Sequence, residues 1–291
     1  MPDLRMTPLP HRSLLALGGE DRVAFLQGLV SADAARAAPD RALYGAFLTP
    51  QGKFLHDFFM AATADSLVLE VEAEGREDFR QRLSRFRLRS RVTLEARDDW
   101  QAHALFGRDA AAAFALNQAG AACSFAGGIV FADPRLIDSG LRAWLPPAAL
   151  PALAELGFVA ADWAEWDGLR IGLGLPDGRR DMAAERTILL EAGFDELNGV
   201  DWQKGCFMGQ EVTARSKYRG QIKKRLLPVG IEGPAPEPGS SIFAGDQEAG
   251  EMRSHCGQIG LALLRLDRLD QRLTCGGAVL VPRPPGWVAL N

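Results

Sequence analysis

From about Arg225 onward the texture of the chain changes, and this change constrains the fold more than any other feature. Short apolar runs at Leu226–Ile231, Ser241–Phe243, Gln258–Leu264 and Ala278–Val281 alternate with Pro- and Gly-rich turns at Gly233–Gly239 and Pro282–Gly286. Strands of that length, closely spaced and punctuated by turn residues, predict a small all-β, barrel-like domain over 225–291. Residues 1–224 read differently. Helical spacing (Val23, Leu26, Leu29; Trp163, Trp166, Leu169) mixes with strand-like runs at Leu14–Leu17, Ala42–Leu48, Phe54–Met60 and Leu67–Val71. The class is therefore α+β, with Thr49-Pro50-Gln51-Gly52 marking a hairpin turn.

Composition is that of a chain able to bury a core: 47% hydrophobic and 24% charged over 291 residues. The net charge of −4 argues against a general nucleic-acid coat but allows a local basic patch. The opening Met1–Ser13 stretch lacks the apolar centre of a secretory signal. The long uncharged run Ala110–Ala132 is mostly alanine, glycine and amide, too weakly apolar to span a bilayer, and predicts a helix, a turn and a short strand. Four scattered cysteines, with no Cys-x-x-Cys pair, give no zinc spacing and no disulfide framework. They point to a reducing cytoplasm and argue against a permanently bound cluster.

Two basic stretches stand out. Between Phe79 and Val92 lie six arginines and no acid, alternating from Arg85 to Val92 with Phe86, Leu88 and Ser90. One reading is a solvated strand or helix end; the other is a docking strip for an anionic ligand tail or RNA. From Lys204 to Arg225 seven basic residues meet one acid, Glu211, a local charge of +6. A helix over Gln210–Tyr218 would align Glu211, Arg215 and Arg219. Cys206 sits in this field between Gly205 and Gly209, whose backbones can take positive φ. A thiol among such charges is expected to be activated, or else to be a small buried residue beside a turn.

The run Lys204-Gly205-Cys206-Phe207-Met208-Gly209-Gln210-Glu211, followed by Arg215 and Tyr218-Arg219-Gly220, resembles the signature of the YgfZ family of folate-binding proteins, relatives of the glycine-cleavage aminomethyltransferase. Thr49–Lys53 with Asp57, Phe25–Leu29, Arg170–Pro176 and Gly260–Arg265 are similar to further family segments, in the same order along nearly the whole chain.

The resemblance implies a GcvT-like three-part ring, two interleaved α+β units within 1–224 and the barrel, around a central funnel holding tetrahydrofolate. It implies a role in maturing or repairing iron–sulfur proteins, including cluster enzymes that thiolate tRNA, with assembly or client proteins as partners and no direct contact with nucleic acid or membrane. It assigns the working roles to Cys206 and Lys204, and folate contacts to Glu191, Asp33, Asp57, Gln210 and Arg219. A carboxylate such as Glu191 suits a pterin, whose amino and ring N–H groups it can accept together. Two departures stand against the pattern. Ser31-Ala32-Asp33 replaces Thr-Asn-Asp, and His56-Asp57 replaces the acidic pair of the transferases. The second counts against the alternative activity, tetrahydrofolate-dependent aminomethyl or one-carbon transfer, because a carboxylate is the group that would assist proton transfer there.

Overall fold

The computed structural model describes residues 3–218, 220 and 222–290. They fold into two compact units. The first combines the chain through Leu48 with Leu55–Trp166 and Leu197–Met208; the second combines Thr49–Phe54, Asp167–Glu196 and the chain from Gly209 on.

The first unit is built on two sheets. In one, strands Leu43–Leu48, Phe54–Ala62, Ser66–Glu72, Arg12–Gly18 and Thr93–Ala96 lie side by side in that order. Helices Arg22–Gln27 and Arg76–Phe86 supply Phe25, Leu26, Phe79 and Leu83 to a core that also holds Leu15, Leu17, Phe58, Met60, Leu67, Leu69 and Val71. Period-2 alternation sends Leu67, Leu69 and Val71 to that core and turns Glu70 to the opposite face. The other sheet orders Val159–Ala160, Arg5–Pro8, Gln101–Phe106, Leu141–Leu145, Gly128–Ala132 and Ala122–Phe125. Only its first pair is parallel. The Ala110–Ala132 run thus yields a one-turn helix, Ala110–Ala113, and two strands rather than one.

The faces of the two sheets meet through aromatic rings and buried charge. Phe59 of the first sheet lies 6.3 Å from Phe131 of the second, centroid to centroid, and the Arg142 guanidinium lies 3.8 Å from the Phe59 centroid. Glu70, fully buried, accepts from Arg12 Nε at 3.0 Å, from Trp144 Nε1 at 2.6 Å and from Arg142 Nη1. These partners satisfy a charge that would otherwise be prohibitively expensive to bury.

In the second unit, strands Lys224–Glu232, Ile259–Arg265, Gln247–Cys256, Ser241–Ala244, Leu273–Cys275 and Ala278–Pro282 close into a six-stranded barrel in that order around Leu227, Val229, Ile242, Met252, Leu264 and Leu280. Arg170, buried at the end of helix Trp163–Gly172, pairs with Asp167 at 2.7 Å and with Asp181, and donates to Ser254 Oγ at 3.2 Å. The Arg170–Pro176 segment is thereby tied to a barrel strand.

Of the two forms expected for the arginine run, a strand or a helix end, the structure shows the helix end. Helix Arg76–Phe86 ends there, and residues 87–92 turn back with the Arg91 amide donating to Asp21 Oδ2 at 2.7 Å. Arg80 pairs with Glu77, Arg82 with Asp78 and Arg91 with Glu20. Arg85, Arg87 and Arg89 are exposed. Among the described residues, no helix is long and apolar enough to cross a membrane.

Candidate functional site

The segment Leu197–Met208 has little regular structure of its own and is held to the loop after helix Arg22–Gln27 by a row of hydrogen bonds. The Asp201 amide donates to Ser31 O at 2.9 Å, Ser31 Oγ to Gly199 O at 2.6 Å and the Met208 amide to Gly28 O at 3.0 Å, while Asn198 Nδ2 donates to Pro134 O, after strand Gly128–Ala132, at 3.0 Å. Ser31, one of the departures noted in the sequence, is fully buried and also accepts from the Ala46 amide at 2.8 Å.

Lys204 belongs to this row. Its Nζ donates to Val30 O at 2.5 Å and to Ala32 O at 2.7 Å, and lies 5.3 Å from the centroid of the Phe207 ring. Burial pulls the amine down to about 8, against the opposing pull of Asp33 and Asp201. Two residues on, Cys206 is exposed and free, and Phe207 is buried. Gly205 and Gly209 take φ of +91° and +81°, the left-handed conformation their positions suggested.

Asp33 accepts from Gln27 Nε2 at 2.8 Å and caps the Ala35 amide at 3.2 Å. It lines a cavity of about 440 Å³ with Arg36, Arg41, Tyr44, Trp202 and Gln203, within the size range of small-molecule sites. Asp57 is buried, paired with Arg12 Nη1 at 3.1 Å and accepting from Tyr44 at 3.3 Å. Its neighbour His56 is 2.9 Å from Asp78 Oδ2.

The remaining sequence-derived site residues fall in the second unit. Glu191 lies in the short helical turn Leu189–Ala192, where Arg225 donates to Leu190 O at 2.6 Å and pairs with Glu196. Burial raises the Glu191 carboxyl, opposed by the Ile188 amide and by the charges of Lys53, Lys224 and Arg253. Gln210 opens helix Gln210–Tyr218, and Arg219 lies outside the described residues. The positive field of this stretch is partly neutralised: Arg215 pairs with Glu211 at 2.6 Å, Lys217 with Asp195 at 2.9 Å, and Arg225 with Glu196.

Sequence reasoning did not find Arg12, which pairs with Asp57, nor Glu70, Arg142 and Trp144, the buried group in which Arg12 is held. A Glu inside the apolar run Leu67–Val71 was the available signal.

The human protein described as iron–sulfur cluster assembly factor IBA57, mitochondrial, is 33% identical over 282 residues, spanning 90% of this chain and 77% of its own length. The chain belongs to the IBA57 family of iron–sulfur cluster assembly factors. Mouse IBA57 is 30% identical over 283 residues, with the same coverage of 90% and 77%. Residues 223–290 match the family described as CAF17, C-terminal beta-barrel domain. The crystal structure of glycine cleavage system aminomethyltransferase T from Bartonella henselae superposes with a TM-score of 0.80 at 17% identity, covering 99% of this chain and 87% of that one. That likeness shows the fold: α+β, GcvT-like, with a closed barrel. The human and mouse relatives carry the IBA57 name, which corrects the family name expected from the motif.

Membership of the IBA57 family also corrects the expected cytoplasmic location, because the human and mouse IBA57 proteins are described as mitochondrial. Unpaired cysteines report a redox state, and a redox state does not single out a compartment.

Proposed function

We propose that this IBA57-family protein is a tetrahydrofolate-binding accessory factor in the maturation or repair of iron–sulfur proteins, acting through Lys204 and Cys206 of its Lys-Gly-Cys motif. The observation that carries the reading is the 33% identity to human IBA57 across 90% of the chain. Its partners are iron–sulfur assembly or client proteins, tRNA-thiolating cluster enzymes among them, in the mitochondrial setting of its relatives. The exposed thiol of Cys206 suits a reactive or transient ligand residue, reachable by another protein.

The donor and acceptor chemistry of the residues fits a folate. Glu191 is a partly buried carboxylate whose charged form gains from any N–H donor brought to it, which a pterin supplies. Asp33 is a further acceptor, at the edge of a cavity of about 440 Å³. Lys53, Lys224 and Arg253 act on Glu191 through their charge and suit an anionic glutamate tail. Gln210 and Arg219 complete the set that the motif suggests. Tetrahydrofolate, when bound, supplies a carrier for a one-carbon unit. Aminomethyl transfer by the protein itself has less support. His56 occupies one position of the acidic pair, and Asp57 is engaged by Arg12 and Tyr44.

The test is calorimetric titration of the purified protein and of Cys206→Ala with tetrahydrofolate, together with rescue of cluster-enzyme activity in cells depleted of their own IBA57. Saturable binding by both proteins, with rescue by the wild type alone, is the expected result. Absence of binding removes the folate, and rescue by Cys206→Ala removes the thiol.

A further inference from the structure

We infer that Lys204 is a positioning residue whose ammonium group, bonded to the Val30 and Ala32 carbonyls, fixes the loop that presents Cys206. The inference deepens the reading of Cys206 as the working thiol and rests on it.

The loop needs such an anchor. Residues 203–207 form neither helix nor strand, and Gly205 and Gly209 bracket the thiol with left-handed backbone. No atom lies within 4 Å of where a Gly205 side chain would begin, so this glycine answers a backbone requirement and not a packing one. Asp201 Oδ1 accepts from the Gln203 amide at 2.8 Å, and beyond that local bond the stretch is tied down at its ends. At the far end the Met208 amide donates to Gly28 O at 3.0 Å, and Phe207 is buried. At the near end are the bonds of Lys204 to Val30 O at 2.5 Å and Ala32 O at 2.7 Å. The same ammonium faces the Phe207 ring at 5.3 Å. Lys204 therefore grips the Val30–Ala32 backbone and, across the ring, the residue after Cys206. The Lys204 carbonyl adds a contact by accepting from Gln27 Nε2 at 3.4 Å.

An amine acting as nucleophile or proton donor needs its nitrogen free to meet a ligand. Here two N–H bonds are already directed at backbone carbonyls. Burial pulls against the charge more strongly than Asp33 and Asp201 support it. A partly buried cation bonded to two backbone carbonyls, beside an exposed thiol, is understandable if it organises that thiol.

Three readouts on Lys204→Met and Lys204→Arg test the assignment: urea unfolding, amide hydrogen exchange by mass spectrometry, and rescue of cluster-enzyme activity in IBA57-depleted cells. For Lys204→Met the unfolding midpoint should fall only modestly, because the Val30 and Ala32 carbonyls lose a donor while the cores stay intact. Exchange across 199–208 should quicken by about tenfold or more while barrel peptides stay unchanged, and rescue should be lost. Lys204→Arg, which also donates to two carbonyls, should restore slow exchange and most of the rescue. Unchanged loop exchange in Lys204→Met overturns the inference. So does a Lys204→Arg protein with a slow-exchanging loop and no rescue, which would assign the amine a chemical role. A Lys204→Met protein that fails to fold overturns it as well, by making Lys204 a stability residue. Tetrahydrofolate titration and Cys206→Ala rescue fail independently of these, so loss of the parent reading is distinguishable.

Discussion

A side chain at Gly52 would begin 2.7 Å from the carbonyl oxygen of Gly209, with Val212 Cβ at 2.8 Å. The hairpin turn Thr49–Lys53 and the start of helix Gln210–Tyr218, two motif segments far apart in sequence, therefore meet backbone to backbone within the second unit. The close approach explains why the turn carries glycine at position 52. Gly52 also has a φ of +74°.

Gly52→Ala should destabilise the protein by about 2–3 kcal/mol, combining the left-handed backbone penalty with displacement of a carbonyl that has nowhere to go. Gly28→Ala is the control. Its φ of −87° is ordinary and nothing lies within 4 Å, so the change should stay within about 0.5 kcal/mol. Urea unfolding of the two variants measures the difference, and equal effects would contradict the packing argument.

Removing the Glu70 charge should be costly. Glu70→Gln leaves the buried Arg12 and Arg142 guanidiniums short of a counter-charge and weakens the bond from Trp144 Nε1. A loss of about 3–5 kcal/mol is expected, as for other broken buried pairs. Asp57 still faces Arg12, so the fold should persist with a lowered midpoint. Denaturant unfolding followed by tryptophan fluorescence is the check, and a shift under about 1 kcal/mol would show the network to be dispensable.

Stability should depend on pH through Glu191. Burial raises its carboxyl above the ordinary value of 4.5. In that interval the folded protein holds a proton that the unfolded chain has released, so stability falls as pH rises from about 4.5 through the folded value. Wild type and Glu191→Gln should be closer in stability at pH 4 than at pH 7, where the amide variant gains. A difference that stays constant with pH would contradict the burial of this carboxyl.

The four thiols should alkylate in order of access. Cys206 is exposed, Cys123 and Cys256 are half-buried, and Cys275 is buried. Burial raises the Cys123 and Cys275 thiols as well, which lowers their thiolate fraction. Iodoacetamide labelling of the folded protein, read by peptide mass spectrometry, should therefore modify Cys206 first and Cys275 last. Labelling of Cys275 at the rate of Cys206 would mean that the barrel opens freely.

Much of the fold was legible in the chain. The Gln210–Tyr218 helix follows its sequence boundaries, and four of the six barrel strands stand where the apolar runs placed them. The two omitted strands have physical reasons. Gln247–Cys256 carries Glu248, Glu251, Arg253 and a bulge between Met252 and Ser254 that breaks the period of two. Leu273–Cys275 is only three residues long. The arginine run stands at a helix end, one of the two forms its pattern allowed, and the Arg91 amide beyond it donates to Asp21 Oδ2. At the candidate site, Lys204, Cys206 and their glycines were legible as a motif. That Lys204 faces carbonyl oxygens was not.

The sequence by itself determined what depends on neighbours along the chain: the α+β class, the barrel, the glycine-bracketed thiol and the family likeness. Periodicity, turn chemistry and motif spacing are local, and local patterns survive translation into structure with little change. Only the tertiary structure decided which buried charges meet. Glu70 and Arg142 are 72 residues apart, and Lys204 lies 174 residues from Val30. A buried charge is tolerated only where partners converge on it, and that convergence belongs to the packing of sheets and loops, which no stretch of sequence contains.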